Sequence, residues 1–375
     1  MRILHLHSSF SPGGKELRAA KLMNAFGGGI EHVLVSGVPG QLGAAKAIAA
    51  QVKVTYPEDF PALSGRPGLA RLAHLAGAMR GFDLILTYNW GAMDAVAAHR
   101  LHARRLGLAP LIHHEDGFNH DEADRLKLSR NLYRRFALAG AAAVVVPSQV
   151  LERIARRQWG LAPDRVHRIA NGIRLGDFAR PAQADALPGL AKPPGEKWIG
   201  TMAGLRAVKN LPALVEACQR MASGWKLVIV GEGPERAAIE ARIAALAMAG
   251  QVFLPGHAPD PAAVMPLFDL FALSSHSEQF PISVVEAMAA GLPVAAPAVG
   301  DIAGMVADAN RPFICAKGDA AGLAAAIGAL TADAALRRQI GQANLAKARA
   351  EYDEQTMIGA YRLLYGGALG RAEFP

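Results

Sequence analysis

Two glutamates with seven residues between them, Glu278 and Glu286, stand in the stretch HSEQFPISVVEAMAAGLP (276–293). The preceding LFALSS (270–275) reads as a buried strand and HSEQF as its outgoing loop, and Pro281 suits the first position of a helix. That helix is expected to stop at Gly291, with Pro293 beyond it. Val284, Val285, Met288 and Leu292 define its buried face, and Glu286 lies on the flank. A helix that begins after a strand offers free N–H groups and the positive end of its dipole, a seat for phosphate. Carboxylates beside that seat would not themselves favour an anion. They make sense if the ligand also carries hydroxyls that need acceptors, as a nucleotide sugar does. The bland alternative is a decorated surface helix.

Four other stretches could do chemistry. SSFSPGGKELRAA (8–20) follows the first strand and places Gly13 and Gly14 at the turn into a helix, where backbone can approach a ligand closely; a tight turn explains the same pair. TMAGLRAVKNLPALVEA (201–217) carries Arg206 and Lys209 just before a helix, cations suited to a diphosphate leaving group, although such a lysine is commonly just solvated. LVIVGEGPERAAIE (227–240) contains Gly231 and Gly233, but Arg236 stands where a dinucleotide fingerprint wants its third glycine. A nicotinamide cofactor therefore has little support, and a turn beneath a base or ribose fits better. LIHHEDGFNHDE (111–122) ends a strand in His113, His114, Glu115 and Asp116. No metal-ligand spacing organises that cluster, and a strand-end histidine touching a sugar hydroxyl is the expectation.

The elements that must position these residues come in two series. RILHLH (2–7), HVLVSG (32–37), QVKVTY (51–56), FDLILTY (82–88), PLIHHE (110–115) and AAVVVPS (142–148) are strand candidates, with helical segments such as 15–26, 67–80 and 91–106 between them. A second series restarts with KWIGTMAG (197–204) and continues through KLVIVGEG (226–233), QVFLPG (251–256), LFALSS (270–275), PVAAPAV (293–299) and RPFICA (311–316). Near-continuous apolar strands separated by helices predict parallel sheets covered on both faces. The Gly- and Pro-rich stretch 168–197 is the seam between two doubly wound α/β domains, with a cleft expected between them and ligands beyond the carboxyl ends of the strands.

The chain has 375 residues, a length that suits two domains. Its two cysteines, Cys218 and Cys315, are far apart and fit a reduced, cytoplasmic setting better than a disulfide scaffold. The opening MRILHLHSSF reads as a first strand, not a secretory signal, and no stretch is apolar enough to span a bilayer. The net charge of +8 is uneven: residues 1–171 hold 22 Lys and Arg against 13 Asp and Glu, the remainder 18 against 19. The basic half is expected to meet something anionic, such as a lipid surface on the inner face of a membrane or a phosphorylated acceptor. With aromatics at only 6% and no recognition motif, nucleic acid is excluded as the partner.

Taken in order, the motifs form a known set: Gly-Gly after the first strand, a histidine at a mid-domain strand end, NGI (171–173), AGLRAVKNL (203–211), VGEGP (230–234) and SEQFPISVVEAMAAGLPVAAPAVGD (277–301). Over nearly its whole length the chain resembles a glycosyltransferase of family 4, with the E-x(7)-E motif and the GT-B architecture of two Rossmann-like domains. The resemblance implies an N-terminal acceptor-side domain (1–171), a donor-binding domain (172–354), and a C-terminal helix at about 355–375 that crosses back to the first, with Tyr361 and Leu364 on its apolar face. It implies retaining transfer from a UDP- or GDP-linked sugar to a saccharide or lipid acceptor, as in envelope polysaccharide or glycolipid synthesis, with no bound metal or other cofactor. In that family pattern Arg206 and Lys209 hold the diphosphate and Glu286 takes the ribose hydroxyls. Glu278, with the backbone of Gln279, Phe280, Pro281 and Ile282, meets sugar and phosphate. Gly13 and Gly14 approach donor phosphate and acceptor, and His114 (or His113) sits by the transferred sugar. Two departures stand out. The family's customary arginine position holds Gly204, two residues before Arg206, and Gln279 replaces a common glycine. A nucleotide-sugar epimerase and an inactive nucleotide-sugar-binding partner are the alternatives.

Overall fold

The computed structural model describes all residues except Asn119, Ala123, Asp124, Pro259 and Glu373, and the side chain of His120. The chain divides into two compact units, Met1–Asn171 with Met357–Pro375, and Gly172–Thr356.

In the first unit the elements run β1 (Arg2–His7), α1 (Gly14–Phe26), β2 (Glu31–Ser36), β3 (Lys53–Thr55), α2 (Leu69–Ala78), β4 (Leu84–Tyr88), α3 (Met93–Leu106), β5 (Leu111–His114), α4 (Leu128–Leu138), β6 (Ala143–Val146), α5 (Gln149–Arg157) and β7 (Val166–Arg168). The strands form one parallel sheet in the order β3-β2-β1-β4-β5-β6-β7. The inner strands β4, β5 and β6 are buried at every position, because helices cover both faces and leave no side for polar residues to escape. Leu4 and Leu6 of β1 face the helices α2 to α5, whereas Ile3 faces α1.

The second unit continues with β8 (Lys197–Met202), α6 (Leu211–Ala217), β9 (Trp225–Val230), α7 (Arg236–Ala245), β10 (Val252–Gly256), α8 (Pro261–Val264), β11 (Leu270–Ala272), α9 (Ile282–Ala289), β12 (Val294–Pro297), α10 (Ile302–Met305), β13 (Ile314–Cys315), α11 (Ala320–Ala332) and α12 (Ala334–Glu351). Its six parallel strands lie in the order β10-β9-β8-β11-β12-β13. Asp319 and Asp333 cap α11 and α12 by accepting from Gly322 N and Leu336 N at 2.8 and 2.9 Å. A last helix, α13 (Glu354–Ala368), carries Tyr361 and Tyr365 into the core of the first unit, where both are buried.

Two local readings are corrected. β7 is an edge strand of three residues, Val-His-Arg, too short and too polar to register as an apolar run. The last strand shrinks from the expected 311–316 to two residues, because the segment before it, Asp308–Phe313, winds as a 3-10 turn through Pro312. Among the described residues no single helix is long and apolar enough to cross a bilayer.

Both sheets reverse direction once, at β1/β4 and at β8/β11. The loops leaving those strands flank the crevice where doubly wound sheets take ligands.

Candidate active site

In the second unit the reversal brings the loop after β8 beside the loop after β11. Lys209, at the end of a short 3-10 turn (Ala207–Lys209), donates from Nζ to Glu278 Oε1 at 2.5 Å. Ser275 Oγ donates to the same oxygen at 2.8 Å. Both charged side chains are largely covered, about 15% and 12% exposed. The two loops are also tied by backbone: His276 N donates to Val208 O at 2.9 Å, and Ser274 Oγ donates to Lys209 O at 2.9 Å. Asn210 adopts the left-handed region (φ 48°), which turns the chain sharply from the lysine into α6.

The stretch from Glu278 to Ile282 is held from behind. Gly300 has φ 56°, and a Cβ there would collide with Glu278 O and lie 2.6 Å from Gln279 O. Asp301 N donates to Gln279 O at 3.1 Å. Phe280 is buried edge-on against Tyr352, ring centroids 5.6 Å apart, so its side chain anchors the loop and only its backbone faces outward chemistry. Pro281 caps α9 instead of opening it, one position earlier than expected. Its φ of −68° suits either place, but its ψ of 114° keeps it extended. Among the described residues no acceptor takes the backbone N–H of Gln279, Phe280, Ile282 or Ser283, and Gln279 Oε1 is buried without a donor. Orphan N–H groups at a helix start are anion donors in waiting. Val284, Val285 and Met288 bury the opposite side of α9 completely, and Glu286 is half-buried one turn in.

Gly231 and Gly233 are required by the packing of two loops. Their φ values of 144° and 158° and the lack of a Cβ let the loop after β9 lie directly on Ala203 O and Leu205 O, where any side chain would collide. Leu205 N donates to Glu232 O and Glu235 N to Leu205 O, at 2.9 and 3.0 Å. These glycines therefore set the course of the 203–206 loop. Gly204 is exposed, and a Cβ on it would meet nothing nearer than Arg206 Nε at 3.6 Å. The guanidinium of Arg206 thus reaches back over Gly204.

The first unit treats its polar strand ends differently. His114 is 1% exposed. Its Nδ1 lies 3.2 Å from Thr87 O and its Nε2 2.9 Å from Tyr365 Oη, and the ring stacks on Tyr88 at 4.5 Å. Burial, with Arg18 nearby, pushes its pKa down to about 3. With both ring nitrogens engaged inside the core, His114 cannot touch a sugar, which corrects the expectation. His113 is equally buried, its Nδ1 2.9 Å from Thr87 Oγ1 and its Nε2 3.7 Å from Glu115. Among the described residues no group of three or more His, Cys, Asp or Glu is arranged to hold a metal ion.

Gly13 caps α1 in extended backbone (φ −164°), and Gly14 opens the helix. The space a Gly13 Cβ would fill is taken by Glu16 Oε2 at 2.7 Å, and Glu16 pairs with Lys15. Burial pushes Lys15 down to about 8. Arg18 grips Asp116 with both terminal nitrogens at 2.5 and 2.8 Å and reaches Asn171 Oδ1 at 2.8 Å. Burial alone would raise the Asp116 carboxyl, but the Arg18 charge outweighs it and holds the group below its usual range. The sequence signals for Lys15, Arg18 and Asp116 lay in stretches already singled out, but the glycines and histidines beside them drew the reading. Ser275 and Gly300, which fix Glu278 and its backbone, had no signal beyond their place next to strand ends.

The comparisons with known proteins agree with this architecture. Residues 12–177 match the family described as Glycosyltransferase Family 4, and residues 183–347 match Glycosyl transferases group 1. A 2-deoxystreptamine N-acetyl-D-glucosaminyltransferase of Streptomyces fradiae is 29% identical over 250 residues, 63% of this chain and 59% of that protein. The putative glycosyltransferase EpsF of Bacillus subtilis (strain 168) is 30% identical over 263 residues, 64% of this chain and 66% of its own length. The matched part thus spans about three fifths to two thirds of these curated relatives. The crystal structure of Anabaena Alr3699/HepE in complex with UDP superposes with a TM-score of 0.81 at 20% identity, covering 98% of this chain and 100% of that one.

Proposed function

Since the chain belongs to the family 4 glycosyltransferases of GT-B fold, we propose that it moves a sugar from a nucleoside diphosphate sugar, UDP- or GDP-linked, to a saccharide or lipid acceptor with retention at the anomeric carbon. The observation that carries this reading is the pairing of Lys209 with Glu278 beside the unpartnered N–H groups at the start of α9. Cation and N–H donors sit where negative charge would grow as the bond to the β-phosphate breaks, and one such preorganised donor is worth about 3 kcal/mol in a transition state. Glu278, its carboxylate fixed through Oε1 by Lys209 and Ser275, would orient a sugar hydroxyl, and Glu286 would accept from the ribose. The departing phosphate would take the acceptor's proton on the same face, so that no enzyme nucleophile and no cofactor is required. The UDP in the Anabaena complex supports a uridine donor. The basic first unit supports a cytoplasmic enzyme working at a membrane face on envelope saccharides or lipids.

The reach of Arg206 over Gly204 argues against an inactive binding partner, since it returns a cation to the place the family arginine vacates. Calorimetry tests the donor site. Wild-type protein should bind at least one nucleoside diphosphate, and Glu286→Ala should abolish that binding. Unchanged affinity in the variant would remove the ribose role and with it the reading of α9.

A further inference from the structure

The backbone of the loop from Glu278 to Ile282 has its duties, but one side chain in it stands apart. Gln279 occupies a position where the family pattern commonly has glycine, so that pattern gives its amide no role. Its Oε1 is buried and, among the described residues, meets no donor. An acceptor taken out of water without a partner is costly, and the loop cannot shift to relieve it. Asp301 N donates to Gln279 O at 3.1 Å, and a Cβ on Gly300 would lie 2.6 Å from that same oxygen. Phe280, the next residue, is anchored on Tyr352 with ring centroids 5.6 Å apart. On the other side Glu278 is fixed through Oε1 by Lys209 at 2.5 Å and Ser275 at 2.8 Å. The stretch thus opens with two side-chain acceptors, the Glu278 carboxylate and the Gln279 amide oxygen. It continues, among the described residues, with the unpartnered backbone N–H groups of Gln279, Phe280, Ile282 and Ser283.

We propose that the Gln279 side chain selects the transferred sugar, its Oε1 accepting from an O–H or N–H next to the hydroxyl that Glu278 orients. The class selected is a neutral sugar with hydrogen-bond donors at two neighbouring positions. The inference rests on the sugar-transfer reading above and extends it from the nucleotide to the sugar. Two acceptors followed by a run of N–H donors match a ligand that presents hydroxyls and then phosphate. An amide oxygen suits the first and not the second, since phosphate oxygens are themselves acceptors. A sugar acid would set its charge against Glu278. A sugar lacking the donor would leave the buried oxygen unpaired, the mismatch that sites built around a hydrogen bond reject most strongly. The rival partner for Oε1 is an ordered water, which would make the side chain a support of the fold.

Gln279→Met keeps the length of the side chain and removes the amide. Calorimetry with UDP and UDP-glucose, and with GDP and GDP-mannose, isolates the contact, because each pair differs only in the sugar. For the pair that wild-type protein binds, the variant should hold the nucleoside diphosphate within about twofold and the sugar nucleotide about tenfold more weakly. Its melting midpoint without ligand should equal or exceed that of wild type, since a buried unpaired acceptor has been removed. Unchanged affinity for the sugar nucleotide overturns the proposal, and a lowered midpoint beside it identifies water as the partner. An equal loss for nucleoside diphosphate and sugar nucleotide also overturns it, because the side chain would then only shape the loop. Wild-type protein that binds neither sugar nucleotide ends the assignment of Gln279. Wild-type protein that binds none of the four ligands ends the donor reading of α9 as well.

Discussion

The reversal point of each sheet is rich in polar residues, yet the two are used in opposite ways. At β1/β4 the outgoing loops close on each other: a Cβ on Gly91 would collide with Ser8, and His7, buried behind them, stacks on Tyr88 at 3.8 Å. The charges nearby are consumed internally, Arg18 by Asp116 and Lys15 by Glu16. At β8/β11 the loops are bridged by one ion pair and two hydrogen bonds, and donors remain unspent at the start of α9. Titratable residues at strand ends are therefore a poor guide to chemistry by themselves. The internal pairing of the first unit is incomplete, since both ring nitrogens of His7 and both carboxylate oxygens of Glu115 are buried without a hydrogen-bond partner among the described residues.

The contrast breaks most visibly in acid. His114, held neutral by burial with a pKa of about 3, has an ordinary value near 6.5 once unfolded. The unfolded chain therefore binds the proton first, and the stability His114 contributes above its unfolded pKa is lost as pH falls from there toward 3. By roughly pH 4.5 that amounts to about 2–3 kcal/mol. His32, pushed down to about 4 by burial, adds to the loss in the same window. Asp116 acts lower, because its pKa is depressed and its contribution fades only below the usual carboxylate range. Thermal unfolding followed from pH 7 downward should show the midpoint falling steeply below 6.5. A flat profile to pH 4.5 would mean these histidines reach water.

A smaller effect, on activity and not on folding, distinguishes the other reversal point. Lys209→Ala should lower turnover at least tenfold, about 1.4 kcal/mol of barrier, while the melting midpoint changes little. A wild-type rate would place the diphosphate's counter-charge elsewhere. The smallest effect concerns the departure at Gly204. Arg206→Ala should weaken nucleoside diphosphate binding about fivefold, near 1 kcal/mol, and adding Gly204→Arg should restore it, because the site has room for a side chain. Failure of the second change to rescue would show that the two positions do not aim at one anion.

Much of this was legible beforehand. RILHLH and FDLILTY read as strands because burial on both faces favours near-continuous apolar runs, and β1 and β4 form within them. The GLRAVK and SEQFP segments could be paired in advance because their motifs fix their places after strands. The fate of His114 could not be read, since its partner Tyr365 lies 251 residues away. The packing demand on Gly231 and Gly233 was hidden for a related reason: sequence does not show that the loop after β9 lies on Ala203 and Leu205.

The core of the first unit has a consequence for the order in which the protein is made. Tyr361 and Tyr365, which seal Arg18, Tyr88 and His114, belong to a segment synthesised only after the whole of Gly172–Thr356. At translation rates of about 5–20 residues per second, the early half must wait on the order of ten seconds or more with its histidine cluster uncapped. All seven strands of the first sheet are made before Gly172, so what arrives last is not the sheet but the helix that covers its polar strand ends.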